Sequence, residues 1–515
     1  MSKQVLYYGS DRPLPTQQPL RAGPLTAIFE AGDLRYIRLG EREVLRRLYW
    51  AVRDRNWGTP PLTLSNLEIH SGADFFSIQY DAICQQGDID FRSKATIQGD
   101  TTGEIRFGFS GVAHSNFYRN RLGFCVLHPM LVAGAPARIT HVDGGVEEQR
   151  LPLHIASQLV INGEIKPVIP FNEMRSLAHE ISPGHWAEVS FEGEIFEMED
   201  QRNWTDASFK TYCIPLRLPF PVEVKAGTTI AQSITLRLLS DDKLGSKSKV
   251  AKQSVSRPSP INVVVDSTLR QPLPKIGLGV ASHEQPLNQR EIQRLQRLNL
   301  AHLRLDLPLF QTGYESKLKR AITEANALGV KLEIALHLSD HAQHELNGLR
   351  GLLSELQPPV ATWLIFHQKE KVTTPGWVTM ARQTLADYSP TTLIGAGTNI
   401  YFTELNSRRP SAEALAAMDV VAWSINPQVH AFDNSSLVET LAAQAVTATS
   451  ARQFCGDRPL LVTPITLQPR FNPNATVLNR NPKQANCPRK SMRQMSLFGA
   501  LDAGQHQTVG ARAAK

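Results

Sequence analysis

AHLRLDLPLFQTGYESKLKRAITEANALGVKLEIALHL, residues 301–338, decides how the second half of this chain folds. Two short apolar runs, AHLRLDLP and VKLEIALHL, flank YESKLKRAITEANALG, in which apolar residues recur at helical spacing up to Gly329. Strand, helix and strand in this order build a parallel sheet covered on both faces. The alternation extends in both directions. KIGLGVAS and the helical NQREIQRLQRLN precede it; DHAQHELNGLRGLLSELQ, VATWLIFHQ, TTLIGAGTN, DVVAWSINP, SSLVETLAAQAVTATSARQF and PLLVTPITL follow. Seven strands of this kind point to a (β/α)8-type TIM barrel over residues 273–515. The count stops there. RQMSLFGALDAG reads as the seventh helix, and the remaining HQTVGARAAK contains no strand-like run. An open barrel exposes the edges of its first and last strands. Either the eighth strand comes from elsewhere in the chain, or the chain is shorter at its C-terminus than a complete version; the second is the expectation.

Upstream the apolar period changes to two. FFSIQYDAI, IDFRSKATIQGD and GEIRFGFSGVA alternate, the last two around the turn residues Gly99 to Gly103, and ITHVDG, WAEVSFEGEIFEM and TIAQSITLRLL continue the pattern. Residues 1–240 therefore read as an antiparallel β-sandwich, with short helical pieces near NEMRSLAHEI. Between the halves, residues 241–272 begin DDKLGSKSKVAKQSVSRPSP, polar and rich in Lys and Ser, which is linker composition.

With 42% apolar and 20% charged residues in 515, the chain has material for two full cores. MSKQVLYYGSDRPLP has no apolar leader and no long uncharged apolar run follows, so the expectation is a cytoplasmic protein with no membrane contact. The five cysteines, Cys84, Cys125, Cys213, Cys455 and Cys487, are scattered and read as buried thiols. The net charge of +7 comes mostly from Arg480, Lys483, Arg489, Lys490, Arg493, Arg512 and Lys515 near the C-terminus. Such a segment, without the alternating aromatics of a stacking platform, does not make a nucleic-acid binder.

FEMEDQRNWTDASFKTY, residues 196–212, breaks the strand pattern with three carboxylates in four positions. Val189, Phe191 and Ile195 share a face with Glu197 and Glu199, so the apolar and acidic faces exchange near residue 195. A bulge that flips the register turns Phe196 and Met198 inward and the acids to water. A strand that keeps its register points Glu197 and Glu199 inward, beside Asp200 and with Arg202 near enough to pair. On the second reading Glu199, Asp200 and Arg202 are candidate substrate-binding residues.

Barrels of this kind place their chemistry where the strands end. There lie Ser282, His283 and Glu284 after the first strand, Arg304 and Asp306 on the second, His337 on the third, His367 on the fourth, Asn399, Tyr401 and Glu404 at the fifth, and Asn426, His430 and Asp433 at the sixth. His337, His341 and His344 also have the residue types of a divalent-metal site, but Asp340 and Gln343 read as an ordinary helix cap and its partner, so no metal or other cofactor is expected. The chain has no GxSxG, GxxxxGK[ST] or HExxH motif. A glycosidase needs two carboxylates, about 5 to 9.5 Å apart. The seventh strand ends in TPITLQPR with no acid, which leaves Glu370, after the fourth, without a carboxylate partner.

EGEIFEMEDQRNWTDASFKTYCIPLRLPFPVEVKAGTTIAQSITL, NRLGFCVLHP, TNIYFTELNSRRP and INPQVHAFDN resemble the D-apionate lactonase family, with the core from Trp204 to Ser208 the most specific part. The resemblance implies an N-terminal β domain joined to a barrel, a further C-terminal β region absent from this chain, and hydrolysis of the branched sugar lactone D-apionolactone to D-apionate in apiose catabolism. It implies no catalytic residues. From the residues alone, water activation and return of a proton to the leaving alkoxide fall to Glu404 and His430, and substrate positioning to Arg304, Asn399 and Asp433. The partner is a small-molecule sugar lactone, and nothing in the residues speaks to oligomeric state. The alternatives are a barrel glycoside hydrolase acting on apiose-containing glycans and a truncated chain that only binds sugar acids.

Overall fold

A computed structural model describes residues 3–11, 13–157, 159–161, 164–166, 170–240, 273–281, 285–388 and 391–471. The segment 241–272, the residues Ser282, His283 and Glu284, the expected seventh helix and the basic C-terminal stretch lie outside the described residues.

The N-terminal half is an antiparallel sandwich that nearly closes on itself. One layer runs through Leu62–Ser71, Phe76–Gln86, Ile89–Gly99, Ile105–Ala113, Thr229–Ser240, His185–Glu192, Met174–Ser182, Pro136–His141 and Val146–Arg150, each paired with the next. The other runs through Gln17–Ala22, Leu25–Glu30, Asp33–Leu39, Arg42–Asp54, Phe117–Pro129, Ser208–Cys213 and Phe196–Asp200. Alternation puts one side chain in two inside, and aromatic rings from the two layers meet there. Trp50 stacks on Phe109 with centroids 4.7 Å apart, and Phe124 meets Phe107 edge-on at 4.9 Å. Such contacts add about 0.5–1.5 kcal/mol each beyond the area they bury.

The layers join where Met174 pairs with Phe196. From the Ser176–Ser190 pair to that pair one strand moves two residues and the other six, so the chain bulges at Gly193 to Ile195, and across the bulge the buried positions change from odd, Val189 and Phe191, to even, Phe196 and Met198. Phe196 and Met198 turn into the core, as the register-flip reading has it. The acids do not then face water. Glu197 is as buried as the core residues beside it, because the barrel and nearby loops cover that side of the layer, and Asp200, on the face of Phe196 and Met198, is buried with Arg202. NEMRSLAHEI is a strand, Met174–Ser182, and not a helix. Met174, Leu177 and Ala178 are all buried there, and hydrogen bonding to a strand on either side outweighs the helix propensity of Met, Leu, Ala and Glu.

In the second half seven parallel strands pair in chain order: Gly277–Gly279, His302–Pro308, Lys331–Leu338, Val360–His367, Leu393–Tyr401, Val420–Ile425 and Leu460–Ile465. Among the described residues there is no eighth. The sheet is rolled, since Arg304 of the second strand reaches Thr463 of the seventh at 2.9 Å. On a flat sheet, five steps of about 4.8 Å would hold them some 24 Å apart. Leu303, Leu305 and Leu307 face outward, where the helix Tyr314–Leu328 covers them with Leu318, Ala321 and Ala325. Gly397, at φ +138°, lets strands five and six approach, for a Cβ there would stand 2.2 Å from the carbonyl oxygen of Ala422. No helix of the described residues is long and apolar enough to cross a membrane. Cys84, Cys213 and Cys455 are buried thiols and Cys125 is half-buried; Cys487 lies outside the described residues.

His128 and His179 are fully buried in the sandwich, with rings 5.1 Å apart. Burial pushes both below the ordinary 6.5, His179 to about 4. The unfolded chain takes up a proton near 6.5 while the folded His179 stays neutral, so the stability it contributes is complete above 6.5 and drains away as pH falls toward 4. At about 1.4 kcal/mol per unit, the loss for His179 is about 3 kcal/mol. Thermal melts at pH 7, 6 and 5 should therefore show a shallower acid decline for His179→Leu than for the natural chain.

Candidate active site

Arg304 and Asp306 lie two residues apart on the second barrel strand, so both point inward, Arg304 in the barrel interior and Asp306 nearer the end where the strands finish. Arg304 is buried and fully engaged. It donates to Asp306 at 3.0 Å, to Glu333 at 3.3 Å, to Thr463 at 2.9 Å and to Asn399 at 3.3 Å, binding strands two, three, five and seven together. Asp306 also meets His337 Nε2 at 3.1 Å and approaches Arg470 at 3.7 Å. Burial alone would raise Asp306, but Arg304, His337 and Arg470 outweigh it and hold its carboxyl far below the usual carboxylate range. It is therefore an ionised acceptor that keeps the Nε2 proton on His337 and leaves Nδ1 as the basic nitrogen. Arg470 donates to both the carbonyl and the side-chain oxygen of Asn399 at 2.7 Å, and burial brings it down to about 10, so it stays cationic at neutral pH. Ile400, Tyr401, Ser424, Asn426, Thr466 and Arg470 line a small hollow beside this cluster, most of them offering hydroxyl, amide or guanidinium groups.

Glu404 begins a short helix, Phe402–Ser407, just behind the hollow. Its carboxylate accepts from the backbone N–H of Tyr401 at 3.1 Å, and only 8% of the residue is exposed. Burial pushes it up to about 7 against the opposing pull of Lys371. No hydrogen bond or ion pair joins Glu404 to His430 among the described residues. Elsewhere on the mouth the polar groups have local tasks. Glu370 accepts from Thr374 and from the Trp377 indole at the start of the next helix. His367 stacks flat on Trp377 at 4.4 Å. His341 occupies the cap position of the helix Ala342–Leu356, whose start is held by Glu345 bonding Ser339, while Asp340 turns to Lys369 and not to the cap position expected of it. His337, His341 and His344 do not converge, and the described residues hold no group of three side chains placed to share one metal ion.

His430 instead meets the other domain. Its Nδ1 lies 2.6 Å from Asp206, and its ring stands edge-on to Trp204 at 5.3 Å. Thr205, in left-handed conformation at φ +68°, donates to the carbonyl of Asn426 at 2.8 Å and locks this turn against the sixth barrel strand. Glu199 pairs with Lys210 alongside. Burial raises it, but Lys210 and His430 outweigh burial and leave it below the usual range. Asp433 caps the helix Asn434–Cys455 and at once receives Arg35 at 3.0 Å and Arg47 at 3.8 Å from the sandwich. Asp200 and Arg202 are spent within the sandwich. Arg202 chelates Asp200 at 2.7 and 2.8 Å and donates to the carbonyls of Pro152, Leu153 and His154.

The structure thus brings Arg304 and Asn399 together, sets Glu199 beside His430, and ties Asp433 into the seam between domains. Arg470, Asp206 and Lys210 were missed in the sequence. Asp206 sits inside the Trp204 to Ser208 core, and Arg470 lies in the loop five residues after the seventh strand.

Both halves of the chain match models of one protein family. Residues 5–241 match the family model described as D-apionate lactonase, N-terminal domain, and residues 276–503 the one described as D-apionate lactonase, TIM barrel domain. A D-apionate lactonase of Brucella anthropi is 32% identical over 501 residues, 93% of this chain and 77% of that protein. Among solved structures, a β-arabinopyranosidase overlaps 79% of this chain and 67% of its own at 9% identity and TM-score 0.31. A GalM/aldose epimerase homologue from C. elegans overlaps 44% and 99% at 10% identity and TM-score 0.29. With both halves matched in order and one relative aligned along nearly the whole length, the chain belongs to the D-apionate lactonase family.

Proposed function

We propose that this chain is a cytoplasmic lactonase that hydrolyses D-apionolactone to D-apionate at the mouth of its barrel. The name of the Brucella anthropi relative supports the substrate. The observation that carries the location is the ion-paired cluster of Asp306, His337, Arg304, Arg470 and Asn399 beside a hollow with a mainly polar wall. Opening a cyclic ester needs a base for water, a donor for the carbonyl oxygen as it gains charge, and an acid for the departing alkoxide. His337, held in one tautomer by Asp306, takes the proton from water at Nδ1 and returns it to the ring oxygen as the C–O bond breaks. Arg470 stabilises the developing oxyanion, while Tyr401, Ser424 and Asn426 hold the sugar hydroxyls.

A second reading gives the proton transfers to Glu404, with His430, as the sequence suggests. The raised pKa of Glu404, about 7, favours it, because a base works best near the operating pH.

Base uptake in a pH-stat on D-apionolactone and related five-carbon lactones separates the two readings. His337→Asn is expected to cost about 10²-fold or more in kcat, the usual worth of a general base, with Glu404→Gln within a few-fold of the natural chain. The reverse pattern supports the second reading, and activity surviving both changes refutes the barrel-mouth location.

Whichever residue moves the proton, Glu404 has a stability signature. Its folded pKa, about 7, exceeds the ordinary 4.5, so its contribution is full below 4.5 and is lost as pH rises through 7. That amounts to about 3 kcal/mol. Glu404→Gln should therefore hold its melting temperature between pH 5 and 8 better than the natural chain.

A further inference from the structure

Two guanidiniums in the sandwich form no ion pair among the described residues. Arg119 and Arg121 lie two residues apart on the Phe117–Pro129 strand, where Arg121 opposes Arg53 of the neighbouring strand. Arg121 is only 5% exposed. Its Nη1 donates to the carbonyl of Asn120 at 2.6 Å, but Nε and Nη2, both buried, have no partner among the described residues. The Nε and Nη1 of Arg119 are likewise buried and unmet. The other buried cations of this domain are treated differently: Arg35 has Glu30 and Asp433, Arg202 has Asp200, and Lys210 has Glu199. The acid that bears most on Arg121, Glu197, spends one oxygen on the Tyr212 hydroxyl and the Leu216 N–H, and forms no ion pair with it. Burial accordingly weakens the hold of both arginines on their protons.

A buried cation with no counter-charge costs several kcal/mol. The orphaned atoms of Arg121, Nε and Nη2, form one edge of the guanidinium. Arg46 presents that same edge to the two oxygens of Glu43. Trp57 and Phe220, packed edge to face on each other with centroids 5.3 Å apart, both lie against the group, 5.3 and 5.0 Å from the Arg121 carbon.

We propose that Arg119 and Arg121 form a binding site for a small oxyanion, a carboxylate or a phosphate, held edge-on by Arg121 beside the Trp57 and Phe220 pair. The site is separate from the reaction proposed above. Along its strand Arg121 lies six residues from Leu127, which pairs with Lys210 beside His430, a span of about 20 Å.

The test uses the full chain in thermal melts with sodium glycolate, sodium phosphate or sodium chloride at equal ionic strength. Glycolate or phosphate is expected to raise the melting temperature by at least about 2 °C over chloride, by preferential binding to the folded state. Which anion acts tells a carboxylate site from a phosphate site. Arg121→Met should abolish the shift, and Arg119→Met, at a less buried position, should reduce it and serves alone if the first variant does not fold. Arg138→Gln, which removes a half-buried arginine paired with Glu148, should keep the shift. Equal melting in all three salts, or an undiminished shift in both the Arg121 and Arg119 variants, overturns the proposal.

Discussion

A carboxylate taken out of water must be met by a cation or by several hydrogen bonds, and most of this molecule's polar architecture follows from that requirement. The bulge at Gly193 to Ile195 turns Phe196 and Met198 into the sandwich core and thereby commits Glu197 and Glu199 to the opposite, covered side, while Asp200 ends the strand on the face of Phe196 and Met198. Each then has its own partner: Tyr212 and a backbone N–H, Lys210, and Arg202. The turn that follows carries Asp206 to His430 and Thr205 to the carbonyl of Asn426, so the same constraint that orders the acids also docks the barrel.

Inside the barrel one arginine has a comparable role. Barrel interiors are ordinarily filled by branched apolar side chains. Here Arg304, Glu333 and Thr463 occupy that space, with Thr463 donating to Glu333 at 2.5 Å and Arg304 bonded to both. The triad ties the seventh strand to the second and third across the open side of the sheet. Above it Asp306 and Asn399 continue the network to Arg470, which faces the hollow. Structural pairing and substrate-facing groups are thus consecutive layers of one network.

The barrel was legible because each of its strands is a short apolar run bounded by a helix of different period, a signal that needs no partner to be read. The sandwich strands were legible where alternation held, and failed at Met174–Ser182, where both faces are covered and good helix formers stand in a strand. The parity change near residue 195 showed in the sequence, but what lay on the far side of the acids did not, because it is another domain. The site was legible by element and illegible by partner. Arg304 and Asn399 both lie on barrel strands and do meet, whereas the partner of His430 lies 224 residues away in Asp206. Arg470 escaped notice because a cation in a loop has no sequence signature distinguishing it from surface charge.

Asp433 begins a helix of one domain while gripping Arg35 of the other, and Glu439, six residues further along, takes the Tyr36 hydroxyl at 2.5 Å and Arg46 at 3.6 Å. A gene fragment encoding either half alone would leave these charges facing solvent and the helix without its brace. The two halves are thus heritable only as a unit: exchange of one for a homologous segment from a distant lineage would have to carry both sides of the Arg35, Tyr36 and Arg46 contacts at once.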